Sequence, residues 1–599
     1  MRSQIKEALQ ATVSKKFGLK QVPDFSVDIP ENAEHGDYAS NIALVLAKEL
    51  KKRNPVLSRE ARLVPGNPLD VARAVDMELE KWCLENGITT EIAPPGFINF
   101  FLDNKNLGAA LKEILKKKER FGRGAKKKET IIIEYSSPNI AKPMGVHHLR
   151  TTIIGQALVN IHSFLGYKVL AMSFPGDWGT QFGSLIAAYK KWGDAKKIKK
   201  NPIKEMLNLY VRFSHLAEGD ETLQEEAQKE FKKLEQGHKE NRKIWTWFRK
   251  ESFKDFDKVY KKLGVKIPLV FAESFFEPYL KKVIADAVNK KIAERGQDSS
   301  LVVKFPDGTP PLLLQKSDGA TLYATRDLAQ MKYRVQKWQP AKILIVVANQ
   351  QTLYFDQIFK TAAMLGYAKK ENLVHVKFGM VLDSTGKKFA TREGKLIPLA
   401  DVLDEAVRRA RKIVDQLNPN LPKKAKPRTV ARSASSAGEK NKIAEVVGIG
   451  GLKFFDMSQN RLSDIVFDWN KMLNLKGASA PYVQYAYARL KSVLRKAKIK
   501  SSVGPIDLDL LKEKQEQALW RHLVHFTEIL EDAAARYEPS RLAEYLLKLA
   551  EKINHFYEAI PILSAEKEIK KSRLALVEAA AIIIKSGMNL LGIEVPERM

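Results

Sequence analysis

At 599 residues with 44% hydrophobic side chains, the chain has room for about four domains with ordinary cores. Its 101 Lys+Arg against 70 Asp+Glu leave a net charge of +31, which says little about fold but biases partners toward polyanions: nucleic acid or an anionic membrane surface. The single cysteine, Cys83, excludes an internal disulfide and a Cys-rich zinc site, and its flanks, Trp82 and Leu84, read as core packing.

The opening MRSQIKEALQATVSKKFG has no apolar h-region, and no run of 18 apolar residues occurs anywhere. The longest candidate, Leu574 to Ile584, contains Glu578. A soluble, cytoplasmic chain without membrane contact is therefore expected. Residues 1–110 alternate helical patterns with short β-type runs and close on PPGFINFFLDN, a buried-strand signature. Lys116 to Arg120 and Lys126 to Lys128 bracket Gly122 and Gly124, a linker composition that puts a boundary near 115–128.

From 130 the pattern becomes α/β. Strands are expected at 130–135, 168–173, 302–304, 311–315, 343–348 and 375–382, with helices between them, so a parallel sheet is expected. A long charged helical stretch at about 185–290 reads as an insertion between the two halves of that sheet. Residues 419–440, PNLPKKAKPRTVARSASSAGEK, have almost no apolar side chains and read as a disordered basic loop, or as a strap that touches a polyanion. From 443 to 599 the pattern is helical throughout, with no strand candidate.

Five segments carry chemistry. In IIIEYSSPNIAKPMGVHHLRTTIIG, residues 131–155, a strand breaks at Ser136-Ser137-Pro138-Asn139 and a helix resumes behind Lys142, Pro143, His147 and His148. A helix start offers free N–H groups and a positive dipole end to phosphate, and Lys142 and the imidazoles add donors that follow a developing phosphate charge. Second, Gly176 to Gly183 puts two glycines around Trp178, which suits either a ligand approaching backbone or a tight turn over a core Trp. Third, Tyr323 and Asp327 stand four apart on one helix face; a carboxylate beside a phenol holds a guanidinium or ammonium, or else Asp327 balances Arg326.

Fourth, the apolar run Ile343 to Ala348 ends in Asn349-Gln350-Gln351, at the place where ligands bind open α/β sheets. Fifth, Gly386 to Lys395 is a Gly-bracketed basic loop of the kind that follows a phosphate chain, or a solvated hairpin. Neither a Walker-type GxxxxGK[ST] nor a Rossmann GxGxxG occurs in the right context.

In this order the segments resemble the arginyl-tRNA synthetases, class I aminoacyl-tRNA synthetases. The resemblance runs through GDYASNIA at 36–43, PPGFINFFL at 94–102, EYSSPNIAKPM at 134–144, GDWGTQFG at 176–183, KSDGATLYATRDLA at 316–329, FGMVL at 378–382 and MSQNRLSDIVFDWNKML at 457–473. It continues through APYVQYAYAR at 480–489, 541–563 and the terminal GIEVPERM. It implies an α/β fold: a Rossmann-type parallel-sheet catalytic domain at 128–400, an N-terminal α/β domain at 1–115 for the tRNA elbow, a connecting segment at 401–455, and a C-terminal all-helical anticodon-binding domain at 456–599. The implied activity is ATP-dependent activation of L-arginine and transfer to the 3′ end of tRNA(Arg).

By the same resemblance, Glu134, Asn139, Tyr323, Asp327 and Gln351 form the arginine-binding set. Asp327 takes the guanidinium, with Tyr323 beside it, and Glu134 and Asn139 hold the amino-acid end. Arginine's five-donor fork needs acceptors placed around it. Lys142, His147, His148, Lys388 and Arg392 fall to catalysis, and Pro143, Gly145, His148, Lys388 and Thr391 to ATP. Trp469, Tyr482, Tyr485 and Arg489 fall to tRNA, since unstacked bases are read by stacking; at least half of the aromatics at 467–489 are expected in the helix core. ATP with Mg2+ is expected as a substrate complex, with no tightly bound metal or organic cofactor, and the enzyme is expected as a monomer.

The family's signatures occur in altered form. His-X-Gly-His stands here as Gly145-Val146-His147-His148, and Lys-Met-Ser-Lys as Lys388-Phe389-Ala390-Thr391, with Lys142 expected to substitute for the lost lysine. Either His147 and His148 share the work of the two signature histidines, or His148 acts alone and His147 faces solvent. The rivals are another class I synthetase, such as one for cysteine, and a catalytically silent tRNA-binding paralogue. Glu134, Asp327 and the lack of a zinc-ligand set stand against the first; the retained site residues stand against the second.

Overall fold

The structure, a computed structural model, describes residues 1–53, 67–387, 389, 397–417, 430–498 and 507–599. The first hundred residues pack α1 (Arg2–Phe17), α2 (Ile42–Arg53) and α3 (Pro68–Glu85) on an antiparallel sheet. Its strands β1 (Val27–Asp28), β2 (Tyr38–Ser40), β3 (Ile88–Ala93) and β4 (Phe97–Leu102) run in the order β1-β2-β4-β3. Ile98, Phe100 and Leu102 alternate into the core, as period two requires. Then α4 (Asn104–Lys117), capped by the Asp103 carboxylate accepting from Asn106 N–H, leads into the basic linker.

The central sheet is parallel. β5 (Thr130–Glu134), β6 (Lys168–Ser173), β7 (Leu269–Val270), β11 (Lys342–Ala348) and β12 (Leu373–Phe378) lie in the order β12-β11-β5-β6-β7. The inner strands bury both faces: Ile131, Ile133, Leu344 and Val346 enter one core, and Ile132, Met172, Ile343 and Ile345 the other. The chain builds outward from β5 on one side and returns through β11 and β12 on the other. The sheet therefore reverses direction between β5 and β11, where Glu134 pairs with Ile345.

Four expectations need correction. The strands foreseen at 302–304 and 311–315 do not join the parallel sheet. They are β9 (Leu301–Val303) and β10 (Leu312–Gln315), which form a separate antiparallel sheet with β8 (Ala293–Arg295). Their spacing is too short for a helical crossover, so they fold back as a meander. The 185–290 stretch is not all insertion. Helices α6 (Thr180–Trp192), α7 (Ala195–Lys200), α8 (Pro202–Ala217), α9 (Glu221–Glu235) and α10 (Lys239–Leu263) fill it up to Gly264, and β7 then rejoins the sheet before α11 (Leu280–Asn289). The strand expected at 375–382 is two: β12 ends at Phe378, and β13 (Val381–Leu382) turns away to pair with β14 (Ile465–Val466). That pairing places a strand in a region read as helical throughout, because two residues are below any periodicity signal.

Helix α5 (His147–Phe164) follows β5, α12 (Tyr323–Trp338) leads into β11, and α13 (Thr352–Met364) follows β11. The rest is helical apart from β14: α14 (Leu399–Leu417), α15 (Val430–Met457), α16 (Trp469–Met472), α17 (Ala480–Lys496), α18 (Lys514–Val524), α19 (Phe526–Ala535), α20 (Pro539–Ala559) and α21 (Lys567–Leu590). Of the expected basic loop at 419–440, residues 419–429 lie outside the described residues, and from Val430 onward the chain is helix α15. Among the described residues no helix is long and apolar enough to cross a membrane.

Candidate functional site

A cavity of about 930 Å³ opens at the carboxyl ends of β5 and β11, over the point where the sheet reverses. Local packing brings its walls together. Gly155 on α5 faces the Tyr135 ring, and a Cβ there would lie 2.2 Å from its Cγ, so only glycine lets α5 close onto β5. Thr151 of the same helix donates from Oγ1 to the carbonyl of Val346 (2.7 Å) and accepts from the N–H of Ser136 (3.1 Å), tying both strand ends to the helix. Ser136 has φ of +53°, uncommon for a side-chain-bearing residue, and is held there by Thr151, Thr152, Ser173 and Tyr260.

Six of the sequence-derived site residues line this cavity: Glu134, His147, His148, Tyr323, Asp327 and Gln351. Asn139 does not; it is exposed, and forms an isolated bridge with Gly176, where a Cβ would meet its Oδ1 at 1.9 Å. Lys142 lies over the Tyr210 ring of α8, its Nζ 4.6 Å from the centroid, and with Pro143 and Gly145 stays off the cavity wall. Lys388, Thr391 and Arg392 lie outside the described residues. Phe389 reaches the cavity and stacks on Phe467 at 4.3 Å.

The two imidazoles stand together, ring centroids 3.9 Å apart, with His147 the more exposed. The backbone N–H of Gly145 points at His148 Nδ1 (3.1 Å). An N–H can only donate, so Nδ1 accepts and the ring proton sits on Nε2. Burial, then the neighbouring His147, push the His148 pKa down to about 3. The ring is a neutral donor in the cavity at ordinary pH.

Asp327 is nearly sealed from water. Gln330 Nε2 donates to its Oδ1 (2.6 Å) and the Tyr354 hydroxyl donates to its Oδ2. Burial raises its pKa to about 6; the Tyr354 bond opposes that rise and Glu134 adds to it. Arg326 is not its partner: that guanidinium pairs with Glu277 at 2.9 Å, so the reading of Asp327 as a balance for Arg326 is set aside.

Glu273 was not foreseen. It lines the same cavity, is 6% exposed, and its Oε2 has no hydrogen-bond partner. Burial raises its pKa to about 8 against the pull of Arg326, with Asp327 and Asp177 adding to the rise. Nothing in AESFFEPY flags it locally. Its place comes from Asp177 of the GDWG segment, which accepts from Ser274 and from Arg249 Nε (2.9 Å). Trp178 packs in the core against Trp245 and Phe231, so the tight-turn reading of that segment holds for the Trp.

Two acidic side chains with raised pKa values, a polar helix start and a donor imidazole in one cavity suit a cationic amino acid beside a nucleotide. Comparison with known proteins agrees. The family described as tRNA synthetases class I (R), catalytic domain, matches residues 110–469. The chain belongs to the arginyl-tRNA synthetase family.

The arginyl tRNA synthetase N terminal domain matches residues 1–102, and the DALR anticodon binding domain matches 483–599. Arginine–tRNA ligase 1 of Bacillus cereus is 36% identical over 603 residues, 100% of each chain. The arginine–tRNA ligase of Fusobacterium nucleatum is 37% identical, covering 100% of this chain and 99% of its own. Among solved structures, the arginyl-tRNA synthetase of Thermus thermophilus superposes with a TM-score of 0.81 at 25% identity, with 100% of both chains covered.

None of the residues expected to meet tRNA lines this cavity. Tyr485, Arg489 and Tyr557 form one stack, with the guanidinium 4.9 and 4.8 Å from the two ring centroids. Tyr482 and Tyr485 are half-buried at the start of α17, while Tyr487 is core. Trp469 is half-buried beside Phe467 and Arg409.

Proposed function

We propose that the chain activates L-arginine with ATP and transfers it to the 3′ end of tRNA(Arg). The observation that carries this reading is that Asp327, Glu273 and His148 line one cavity. A guanidinium offers five N–H donors and no acceptor, and two neighbouring carboxyls match it. Asp327 and Glu273 take the guanidinium, Tyr323 closes beside it, and Glu134 with Gln351 faces the amino-acid end. Full-length identity to arginine–tRNA ligases supports catalysis, and nothing found favours a silent tRNA-binding relative.

In the first step an arginine carboxylate oxygen bonds to the α-phosphorus, and the bond to the pyrophosphate oxygen breaks. In the second, the terminal ribose hydroxyl of tRNA attacks the activated carbonyl; AMP leaves and the hydroxyl proton is lost. His148 donates from Nε2 to phosphate oxygen, and His147 stands against it as a second imidazole. Lys142 and the basic loop with Lys388, Thr391 and Arg392 serve the leaving pyrophosphate. Positioning and charge carry the rate, since little covalent chemistry falls to the protein. Mg2+ enters with ATP as part of the substrate complex. Residues 1–115 hold the tRNA elbow, and Trp469, Tyr482, Tyr485 and Arg489 meet the anticodon side. The enzyme works as a cytoplasmic monomer.

Aminoacylation of bulk tRNA, offered each of the twenty amino acids with ATP and Mg2+, tests the reading: only arginine should be attached. No product with arginine defeats it. His147→Ala and His148→Ala, assayed by tRNA-dependent ATP–pyrophosphate exchange, separate the two histidine readings. Loss in both variants supports a shared role; loss in His148→Ala alone leaves His147 without one.

A further inference from the structure

Helix α12 carries Tyr323, Asp327, Gln330 and Arg334 at successive steps of four, three and four residues, so all four share one face. The first two line the cavity, and Gln330 bonds to Asp327 behind them. Arg334 lies two turns deeper and is fully buried. Its Nη1 is 2.5 Å from Glu134 Oε2 at the end of β5. No well-aligned hydrogen bond reaches Nε, Nη1 or Nη2, so the Glu134 carboxylate is the charge that holds this guanidinium in the core. A buried cation is tolerated only when a carboxylate answers it.

Three carboxyls, those of Glu134, Asp327 and Glu273, face a cavity that would receive one guanidinium. One internal cation pairs with Glu134 and leaves the other two for the ligand's guanidinium. We propose that Arg334 is a positioning residue for arginine recognition: it never meets the substrate, but it holds the Glu134 carboxylate in place at the strand end. The proposal rests on the reading of this cavity as the arginine site. The stripe also explains why Asp327 and Glu134 tolerate each other at close range, since Arg334 is an opposing charge to both.

The test is steady-state aminoacylation by the parent, Arg334→Met, Arg334→Lys, Glu134→Gln and the double variant Glu134→Gln/Arg334→Met, with arginine and ATP varied separately. Arg334→Met should raise KM for arginine by about tenfold or more and leave KM for ATP within about twofold. Arg334→Lys should recover part of that loss. Because Arg334 acts through Glu134, the double variant should be no worse than Glu134→Gln alone. An arginine KM within about twofold of the parent in Arg334→Met overturns the proposal, as does a full additional loss on the Glu134→Gln background. Should Arg334→Met fail to fold, Arg334→Lys in the two backgrounds makes the same comparison. Asp327→Asn and Glu273→Gln report on the underlying reading: an unchanged arginine KM in both would remove arginine from the cavity and this inference with it.

Discussion

The Asp177 carboxylate accepts both the backbone N–H and the hydroxyl of Ser274, each at 2.8 Å, across 97 residues of sequence. Ser274 follows Glu273, so the loop after β6 fixes a carboxyl that lines the cavity. The GDWG segment thus shapes the cavity wall that carries Glu273 without lining the cavity itself.

Asp177→Ala should therefore release the turn that carries Glu273. The expected result is a rise in arginine KM of about tenfold, with ATP KM little changed. Separate titrations of the two substrates read this out, and equal changes in both would point to general unfolding of the site instead.

Arginine binding should expel protons near neutral pH. Without ligand, Glu273 is protonated below about 8 and Asp327 below about 6. A bound guanidinium favours both ionised forms, so binding at pH 7 releases a proton mainly from Glu273, and affinity rises as pH rises through these values. Calorimetry in buffers of different ionisation heat measures the release. Glu273→Gln should abolish most of it; an undiminished release in that variant assigns the proton elsewhere.

Arg150 and Asp456 form a buried pair, 3.1 Å apart, with side chains 1% and 5% exposed. Arg150 also donates to the carbonyls of Ser463 (2.9 Å) and Arg461 (3.3 Å), in the segment that leads to β14. Asp456→Ala strands the guanidinium and should cost about 3–5 kcal/mol. Chemical denaturation measures the loss. Activity should fall with it, because Asp464 and β14 hold Met380 and Val381 on the cavity wall.

Gly155→Ala should destabilise the fold by about 1–3 kcal/mol or more, since the new methyl meets a fixed ring rather than a movable chain end. A parent-like melting temperature would mean that α5 and Tyr135 separate more easily than their packing indicates.

Affinity for tRNA should fall steeply with salt, with a log–log slope of roughly −0.7 to −0.9 per neutralised phosphate, given the +31 charge. Tyr485→Ala should weaken tRNA binding by about 1–3 kcal/mol if a base stacks on that ring, with little change in the slope. Filter binding across a salt series separates the two effects.

Periodicity and local motifs pointed to the parallel sheet, to the helical region from 443 to 599 and to His148, Tyr323, Asp327 and Gln351, and the family resemblance added Glu134. These features depend on neighbours close in sequence: an apolar run reads as a buried strand, a polar break before a helix as a ligand-facing helix start, and a four-residue step as one helix face. Glu273, Arg334 and the β13–β14 pairing were not legible, because each is defined by a partner far along the chain. Glu273 owes its position to Asp177, Arg334 its role to Glu134, and the β13 strand its existence to Ile465 and Val466. The free energy of a buried charge or a two-residue strand lies almost wholly in its partner, so only the tertiary structure decided which carboxyls surround the cavity and what holds them there.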